Sequence, residues 1–446
     1  MNLHSPRFPN SSDLQKRAHR LIPGGAHTYA KGDDQYPILA PGFIVRGNGC
    51  HVWDADGNEY IEYGMGNRAV GLGHAFPRVV EAAREEMANG CNFTRPSAIE
   101  VECAEAFLGL IGTAEMVKFC KNGSDATSAA VKLARAYTRR DYVAYCGDHP
   151  FFSVDDWFIG PTPMGAGVPE AINKLSLTFR YNDLESVRAL LTQYPGQIAC
   201  FMLEAARTDD PQDNFLQELR RLAHEDGALF ILDEMITGFR WHARGAQALY
   251  DIVPDLSTFG KALGNGFSVS ALAGRREFMR LGGLDHHDRP RVFLLSTTHG
   301  AETHALAAAM ATIEVYRDEP VIERMEAAGD RLRAGFEQAI VRHRLADHVS
   351  VGGRSSCLFY GTKGIDGKPS QAFRSLFLQE IIRRGVIAPS LATSYSHSDA
   401  DIDRTVDAVD GALGVYVRAL DEGVEHHLVG RPSQIVQRQF NLPSED

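Results

Sequence analysis

A lysine and an aspartate stand in the sequence where they could do carbonyl chemistry together. Lys261 lies in STFGKALGNG, between a short apolar run and a glycine-rich turn, and Asp233 ends the apolar run ALFILD 28 residues earlier. Burial lowers the pKa of a lysine and makes its amine a nucleophile toward carbonyl groups. A carboxylate at a buried strand end needs a partner, because its desolvation is costly. Taken singly, each has an ordinary alternative: a solvated surface charge for Lys261, and a helix cap or salt bridge for Asp233.

A third feature, the stretch NGSDATSAA, places Gly123 and Ser124 at the start of a predicted helix. The first amides of a helix lack intrahelical partners and, with the helix dipole, favour an anion such as phosphate. A plain helix cap by Asn122 or Ser124 is the alternative for this stretch alone, and it is not a Walker P-loop because no Gly-Lys-Ser/Thr follows. An anion-binding turn, a strand-end carboxylate and a buried lysine, in this order, predict a site for pyridoxal phosphate.

The elements that must position these residues alternate between strand and helix. Apolar strands are predicted at MVKFC, YVAYC, IACFML, ALFILD, LSTF and VSALAG. Such strands, separated by helices, predict a mostly parallel sheet covered on both faces. Ligands of these sheets bind beyond the carboxyl ends of the strands. Gly123, His149, Glu204, Asp233 and Lys261 all follow strand ends, so we expect them to meet in one crevice.

Beyond about residue 321 the pattern changes to long amphipathic helices with a few short strands, which is typical of a smaller α+β domain. We therefore expect residues 65–315 to form the large cofactor-binding domain. Residues 1–64 are expected to supply the N-terminal segment of the small domain, and residues 316–446 its C-terminal part.

Composition excludes several classes of function. The chain has 46 Lys and Arg against 57 Asp and Glu, and the resulting formal charge of −11 opposes generic binding to nucleic acid or to anionic membranes. No apolar run is long enough to span a membrane and the start lacks a secretory signal, so we expect a cytoplasmic protein. The seven scattered cysteines form no C-x-x-C and there is no H-E-x-x-H, so neither a metal site nor a disulfide framework is predicted.

Nearly the whole chain resembles the class III aminotransferases of fold type I, and especially their glutamate-1-semialdehyde 2,1-aminomutase branch. The span from DEMITGFR to GKALGNG is the most specific part, and NGSDAT, GLGHAFPRVVEA and STTHGAETHALAAA also match. The resemblance implies a seven-stranded, mostly parallel sheet domain with a smaller α+β domain. It also implies pyridoxal 5′-phosphate as cofactor and a homodimer with shared active sites.

The resemblance assigns the central residues to the cofactor. Lys261 matches the lysine that forms the Schiff base, and Asp233 matches the partner of the pyridine nitrogen. Gly123 and Ser124 match the cup that binds the phosphate group.

The resemblance also implies roles for residues around the cofactor. Thr298 in STTHG matches the threonine that reaches the phosphate of the neighbouring subunit, with Thr297 as the alternative. At the family's aromatic stacking position this chain reads GDHPFF, so stacking falls to His149, with Phe151 as second candidate. Glu204 matches an acid at the cofactor edge. A loop histidine with ordinary hydrogen bonds and a capping glutamate are the alternatives for His149 and Glu204.

Three departures from the aminomutase pattern concern the substrate. Lys31, in PGGAHTYAK, stands where the aminomutase has an arginine that binds a carboxylate, and Arg95, in CNFTRPS, adds a cation to another loop. The C-terminal stretch APSLATSYSHSDADID also lacks the glutamate of the matching Phe-Glu-Ala segment. Lys31 and Arg95 are the candidate substrate-binding residues, with surface pairing as the alternative for Arg95.

These features predict an aminotransferase that moves an amino group, with glutamate as the expected donor, to an aldehyde or ketone. The acceptor is expected to be small and anionic, for example a sugar or sugar acid. An aminomutase of the glutamate-1-semialdehyde type is the alternative. A nicotinamide dehydrogenase is disfavoured because GLGHAF breaks the G-x-G-x-x-G pattern, and a non-catalytic relative is disfavoured because Lys261 is present.

Overall fold

The computed structural model describes residues 8–441, which divide into two compact units. The first unit comprises residues 8–76 and 323–438, and the second comprises 77–322 with 439–441. The units thus divide at 76/77 and 322/323, where the sequence predicted functional domains dividing at 64/65 and 315/316.

Within residues 8–441, no helix combines the length and apolar character needed to cross a membrane. The helices are α1 (Pro9–Leu21), α2 (Met65–Arg68), α3 (Pro77–Asn89), α4 (Ala98–Ile111), α5 (Gly123–Thr138), α6 (Asp156–Ile159), α7 (Glu170–Asn173), α8 (Leu184–Gln193), α9 (Phe215–Asp226), α10 (Ala246–Leu249), α11 (Arg276–Met279), α12 (Thr303–Asp318), α13 (Val321–Arg342), α14 (Gln371–Ile382) and α15 (Asp399–Glu422). The strands are β1 (Ile44–Asn48), β2 (His51–Asp54), β3 (Glu59–Glu62), β4 (Met116–Cys120), β5 (Tyr142–Cys146), β6 (Ser176–Phe179), β7 (Ile198–Leu203), β8 (Leu229–Asp233), β9 (Leu256–Phe259), β10 (Ser270–Gly274), β11 (Val349–Gly352), β12 (Phe359–Thr362) and β13 (Val386–Ile387).

The second unit is built on a seven-stranded sheet with the spatial order β4-β10-β9-β8-β7-β5-β6. Neighbouring strands from β6 to β9 run parallel, and β10 runs antiparallel to both β9 and β4. Every residue of β7, β8, β9 and β10 is buried. Burial on both faces explains why these strands appear in the sequence as continuous apolar runs. The predicted mostly parallel sheet is confirmed.

Two features of this sheet were not visible in the sequence. β10 is reversed, and a fully buried apolar run looks the same in either direction. β6 was missed because it is a short strand at the edge of the sheet in which only Phe179 is buried, so it forms no long apolar run.

Helices cover both faces of the sheet, as predicted, and alternate residues of a strand face opposite sides. In β8, Leu229 and Ile231 pack in one cluster with the alanines of α5, whereas Phe230 and Leu232 pack in a second cluster with α9. The small side chains of α5 allow that helix to lie close to the sheet, which fixes the position of its first turn.

The first unit combines two small sheets with long helices. Its larger sheet has the order β1-β2-β3-β13, with β13 parallel to β3, and β11 pairs with β12. Phe336 of α13, Phe377 of α14 and Tyr416 of α15 share one buried core with the strands. This arrangement is the α+β pattern expected for the small domain.

One cluster in the first unit has the donor types of metal ligands. The ligand atoms of Cys50, His51 and Asp401 lie within 4.8 Å of one another. The Asp401 carboxylate, however, accepts hydrogen bonds from the amide (3.1 Å) and the hydroxyl (2.6 Å) of Ser398 in a capping box at the start of α15. The positive end of a helix dipole disfavours a cation there, so Asp401 is explained as part of a helix cap, and Cys50 and His51 as its hydrogen-bond partners.

Two glycines in long helices of the first unit provide a test of its packing. A Cβ at Gly329 in α13 would lie 1.8 Å from the backbone oxygen of Ser355, whereas one at Gly414 in α15 would lie no closer than 3.5 Å, from His343 Cε1. We expect Gly329→Ala to lower the free energy of unfolding by about 1–3 kcal/mol or more. We expect Gly414→Ala to raise it by about 0.5–1 kcal/mol, since alanine is the better helix former. Urea unfolding of both variants measures the two changes in the free energy of unfolding. Equal changes would contradict the close packing of α13 against Ser355.

Candidate active site

The site residues predicted in the second unit follow the ends of neighbouring strands of its sheet. Asp233 ends β8, Lys261 follows β9, Glu204 follows β7, His149 follows β5 and Gly123 follows β4. These five strands point the same way, because β10 alone is reversed in this sheet. The residues therefore lie at the carboxyl ends of the parallel strands, which is where ligands of such sheets bind.

Asp233 is a buried carboxylate in contact with the sheet. Its side chain is 2% exposed, and its Oδ1 accepts hydrogen bonds of 3.0 Å from the Met235 amide and from the Thr258 hydroxyl. Burial and, next, the charge of Glu204 raise the pKa of Asp233 to about 7, whereas the charge of Lys261 opposes that rise. The site therefore holds a carboxylate whose ionised form a further cation would stabilise.

Lys261 is fixed by a tight turn after β9. It begins a short 3-10 turn, Lys261–Gly264, with φ 43°, and its side chain is half-buried. A Cβ at the preceding Gly260 would lie 2.4 Å from the Ser270 hydroxyl and 2.7 Å from the Met235 sulfur. Only glycine fits between β9 and the lysine, so the close packing determines where the lysine leaves the sheet.

Met235 connects three parts of the site, and sequence reasoning missed it. A Cβ at Gly123 would lie 2.9 Å from its sulfur, so this side chain packs against the start of α5 as well as against Gly260. Its amide also binds Asp233. An apolar residue gives no chemical signal in a sequence, although its place two residues after Asp233 marks it as a neighbour.

The first turn of α5 keeps amides available for an anion. The Asn122 side chain caps the helix by accepting from the Asp125 amide at 3.1 Å, and the Ser124 hydroxyl accepts from the Val154 amide at 3.0 Å. Within residues 8–441, the amides of Gly123 and Ser124 donate no hydrogen bond. The cap by Asn122 uses a different amide, so it leaves the amides of Gly123 and Ser124 available for an anion.

His149 is a neutral buried ring next to Glu204. It is 4% exposed, and its Nδ1 accepts from the Glu204 amide at 3.1 Å. Burial and, next, the charge of Arg207 lower the pKa of His149 to about 4. The alternative stacking residue, Phe151, is 47% exposed, so the buried ring at the strand ends is that of His149.

The remaining predicted residues lie on exposed segments. Thr297 and Thr298 are exposed between α11 and α12, where the backbone oxygen of Thr298 accepts from the Asn92 amide group at 3.0 Å. Arg95 is exposed between α3 and α4, and Lys31 is exposed in a 3-10 turn of the first unit. The second unit by itself does not bring Thr298 or Arg95 into a buried position.

An ion pair anchors the segment that carries Thr298. Glu302, just before α12, binds Lys121 Nζ at 2.7 Å through one oxygen and His299 Nδ1 at 3.0 Å through the other. The hydrogen bond and charge of Lys121 lower the pKa of Glu302. Since Lys121 directly precedes the cap of α5, this pair links the start of α5 to the Thr298 segment.

A buried strand-end carboxylate, a half-buried lysine and an anion-binding turn on this sheet define an enzyme of the fold type I class that uses pyridoxal phosphate. The model of the aminotransferase class-III family matches residues 29–387, and the chain belongs to that family. The resemblance seen in the motifs is thereby confirmed, as are the fold class, the cofactor and the enzyme class.

Individual relatives match this chain over most of their length. A glutamate-1-semialdehyde 2,1-aminomutase from Roseiflexus castenholzii is 35% identical over 435 residues, which cover 93% of this chain and 99% of the relative. Among solved structures, the FumI protein of Sphingopyxis sp. MTA144 in its PLP internal aldimine form has a TM-score of 0.83 and 29% identity over 92% of this chain and 97% of that one. An omega-transaminase from Sphaerobacter thermophilus has a TM-score of 0.81 and 25% identity, covering 94% of this chain and 100% of its own.

The residues present fit the cofactor on geometric grounds. Within residues 8–441, both hydrogen bonds to the Asp233 carboxylate fall on Oδ1. A protonated ring nitrogen at this carboxylate would supply the cation that its raised pKa calls for. At Gly123 and Gly260 a larger side chain would collide with Met235, so both turns of the site require glycine.

The raised pKa of Asp233 predicts how the cofactor-free protein responds to pH. The pKa is about 7 in the folded chain against an ordinary 3.8. The folded state therefore binds this proton more tightly, and the resulting stability is present at low pH and lost as the pH rises through 7. Asp233→Asn removes this loss, so we expect it to stabilise the cofactor-free protein at about pH 8, and progressively less toward pH 4.

Urea unfolding of cofactor-free protein at about pH 5 and pH 8 measures this effect. The exposed carboxylate of Asp210, which accepts a hydrogen bond from Tyr250, provides the control Asp210→Asn. We expect that control to follow the pH dependence of the unmodified protein. A cofactor-free Asp233→Asn protein that is less stable than the unmodified protein at pH 8 would contradict the assignment.

Proposed function

We propose that the protein transfers an amino group from a donor amino acid, with glutamate as the expected donor, to an aldehyde or ketone acceptor in two half-reactions. The observation that carries this proposal is the buried carboxylate of Asp233 close enough to Lys261 for their charges to interact. When bound, pyridoxal phosphate withdraws electrons from the substrate carbon that loses its proton.

The roles of the side chains follow from their positions. Lys261 Nζ would hold the cofactor covalently; once the amine of the donor has displaced it, the freed Nζ would act as the general base that takes the proton from the substrate carbon. Asp233 keeps a proton on the ring nitrogen. The amides of Gly123 and Ser124 would bind the phosphate group, and the neutral ring of His149 and the carboxylate of Glu204 would contact the cofactor.

The expected acceptor is a small anionic carbonyl compound, such as a sugar acid. Lys31 and Arg95 support this, since Lys31 keeps a cation where the aminomutase pattern has an arginine, Arg95 adds a cation that the pattern lacks, and both are exposed enough to meet a ligand. Lys31 offers a point charge, whereas Arg95 offers a fork that matches a carboxylate.

An aminomutase is the second candidate. Curated proteins of that name are 35% and 32% identical to this chain over nearly all of its length. The two activities differ in their need for a second substrate. In the test, a panel of aldehydes and ketones is offered to enzyme loaded with pyridoxamine phosphate. The return of the absorbance of pyridoxal phosphate shows which compounds are aminated. Conversion of a single amino-aldehyde with no added acceptor would instead favour the aminomutase.

Replacement of Lys261 tests the covalent role. Borohydride reduction of the loaded protein should add the mass of a phosphopyridoxyl group to the peptide that contains Lys261. We expect Lys261→Ala to carry no such mass and to lose at least about a thousandfold in activity, since it removes both the attachment point and the general base. Lys174→Ala, at an exposed lysine paired with Glu170, is the control. Labelling of Lys261→Ala at another lysine would contradict the assignment.

We further propose a homodimer in which Thr298 binds the phosphate of the partner's cofactor. Its exposure and its anchored segment support this role, because a residue that serves another subunit must face outward. Thr298→Val should weaken cofactor binding by roughly tenfold, the effect of losing one hydrogen bond to a charged group.

A mixed dimer tests the sharing of sites. Co-expression of differently tagged Lys261→Ala and Thr298→Val chains should give one intact site per mixed dimer, because Lys261 of one chain meets Thr298 of the other. We expect about half the cofactor to bind with normal affinity, measured by absorbance titration. If Thr298 served its own chain, neither site would be intact.

We also propose a cytoplasmic location. All seven cysteines are free, which suits a reducing compartment. Cell fractionation with an antibody to the chain tests this proposal.

A further inference from the structure

A polar cleft opens at the ends of β5, β6 and β7 in the second unit. Its volume is about 270 Å³, and its wall includes His149, the ring expected to lie against the cofactor. The cleft therefore adjoins the candidate active site at His149 and lies toward the edge strand β6, whereas Lys261 follows β9. Its walls come from the loops after the three strands: Asp148, His149, Tyr181, Asn182, Arg207, Thr208, Asp209 and Gln212.

Arg207 is the only cation among the described residues that line this cleft. Its side chain is 32% exposed, so most of it is covered. Its Nη1 lies 3.7 Å from Glu204 Oε1, too far for a hydrogen bond, and within residues 8–441 its guanidinium donates no hydrogen bond. Its charge also contributes to lowering the pKa of His149. A guanidinium with unused donors matches a planar carboxylate, which it can bind with two parallel hydrogen bonds.

The rest of the wall offers acceptors for hydroxyl groups. In the described part of the chain, Asp148 accepts only the Tyr181 amide, at 2.8 Å, and Asp209 only the Thr208 hydroxyl, at 3.1 Å. Each carboxylate therefore keeps capacity for further hydrogen bonds. Because Asp148 and Asp209 line the cleft and Glu204 lies 3.7 Å from the guanidinium, a ligand rich in negative charge would be repelled. A ligand with one carboxylate and several hydroxyl groups fits this balance.

The loops that form the cleft are fixed to each other. Asn182, after β6, donates to the Asp210 oxygen at 3.0 Å and accepts from the Gln212 amide at 3.0 Å. The Tyr181 hydroxyl donates to the Ala205 oxygen at 2.7 Å. These bonds hold the loop that carries Arg207 against the end of β6, so the guanidinium is presented from a braced loop.

We propose that this cleft binds the non-reacting end of the carbonyl acceptor, and that this end is a carboxylate on a hydroxylated chain, as in a sugar acid. Arg207 binds the carboxylate and determines specificity, and Asp148 and Asp209 accept hydrogen bonds from the hydroxyl groups. This inference rests on the proposed transfer to an anionic acceptor and deepens it. Unlike Lys31 and Arg95, Arg207 is mostly covered, so its attraction for an anion is less screened by water.

A binding experiment tests the subsite without any reaction. D-Gluconate carries the carboxylate and hydroxyl groups but no carbonyl, and D-glucitol is its uncharged counterpart. We expect calorimetric titration of the cofactor-loaded enzyme to show binding of gluconate and at least tenfold weaker binding of glucitol. Arg207→Met should weaken gluconate binding at least tenfold, and Arg207→Lys should restore part of it. Arg188→Met, at a surface arginine paired with Glu185, is the matched control and should bind as the unmodified protein does.

A reaction experiment tests the same residue for specificity. D-Glucuronate and D-glucose differ at the far end of the chain, where one has a carboxylate and the other a hydroxymethyl group. Offered to enzyme loaded with pyridoxamine phosphate, glucuronate should react with at least tenfold higher kcat/KM. Arg207→Met should abolish this preference by slowing glucuronate while leaving glucose within about twofold.

The two experiments separate failure of the subsite from failure of the proposed function. If the enzyme aminates carbonyl compounds but Arg207→Met keeps both the gluconate affinity and the glucuronate preference, the subsite is wrong and the transferase stands. If gluconate binding depends on Arg207 but no added carbonyl reacts, the subsite stands and the transfer is wrong. Loss of the preference in Arg95→Met or Lys31→Met, and not in Arg207→Met, would overturn the assignment to this cleft.

Discussion

The burial of one carboxylate determines much of this structure. Asp233 ends β8 at 2% exposure, and its nearest charged neighbours include another carboxylate, Glu204. Removing an ionised carboxylate from water is costly unless a cation compensates. Lys261 compensates in part, and a protonated pyridine ring would complete the balance. The folded chain thus contains a buried negative charge that lacks a full countercharge, and a cationic cofactor ring would supply it.

The geometry around that carboxylate depends on close packing as much as on charge. A Cβ at either Gly123 or Gly260 would collide with the sulfur of Met235, whose amide binds Asp233. Methionine has a flexible, polarisable side chain that adapts to irregular gaps. One apolar side chain therefore lies between the first turn of α5, the turn that carries Lys261 and the carboxylate of Asp233. Activity would be sensitive here to changes that leave every polar group in place.

The sequence was most informative where chemistry and local pattern coincide. The buried strands and the residues after them were predictable, because a continuous apolar run that ends in an acid, as at Asp233 or Glu204, is typical of a buried strand leading into a polar site. The reversal of β10 and the edge strand β6 were not, since strand direction and edge pairing depend on partners distant in the chain. Arg207, the residue proposed for the subsite, gave no signal for a similar reason: only the fold places this loop arginine in one cleft with His149 and Asp209.

The reversed strand has a mechanical consequence for the lysine. In a parallel sheet, the chain leaves the edge after each strand and returns only through a long crossover. Because β10 runs antiparallel beside β9, the segment 260–269 begins and ends at the same edge, and the Ser268 hydroxyl fastens it further to the Lys121 oxygen at 2.7 Å. Because both ends of segment 260–269 are held by the sheet, its main chain has little freedom to move. Any travel of the Lys261 nitrogen during turnover must come from rotation of its four-carbon arm rather than from the main chain.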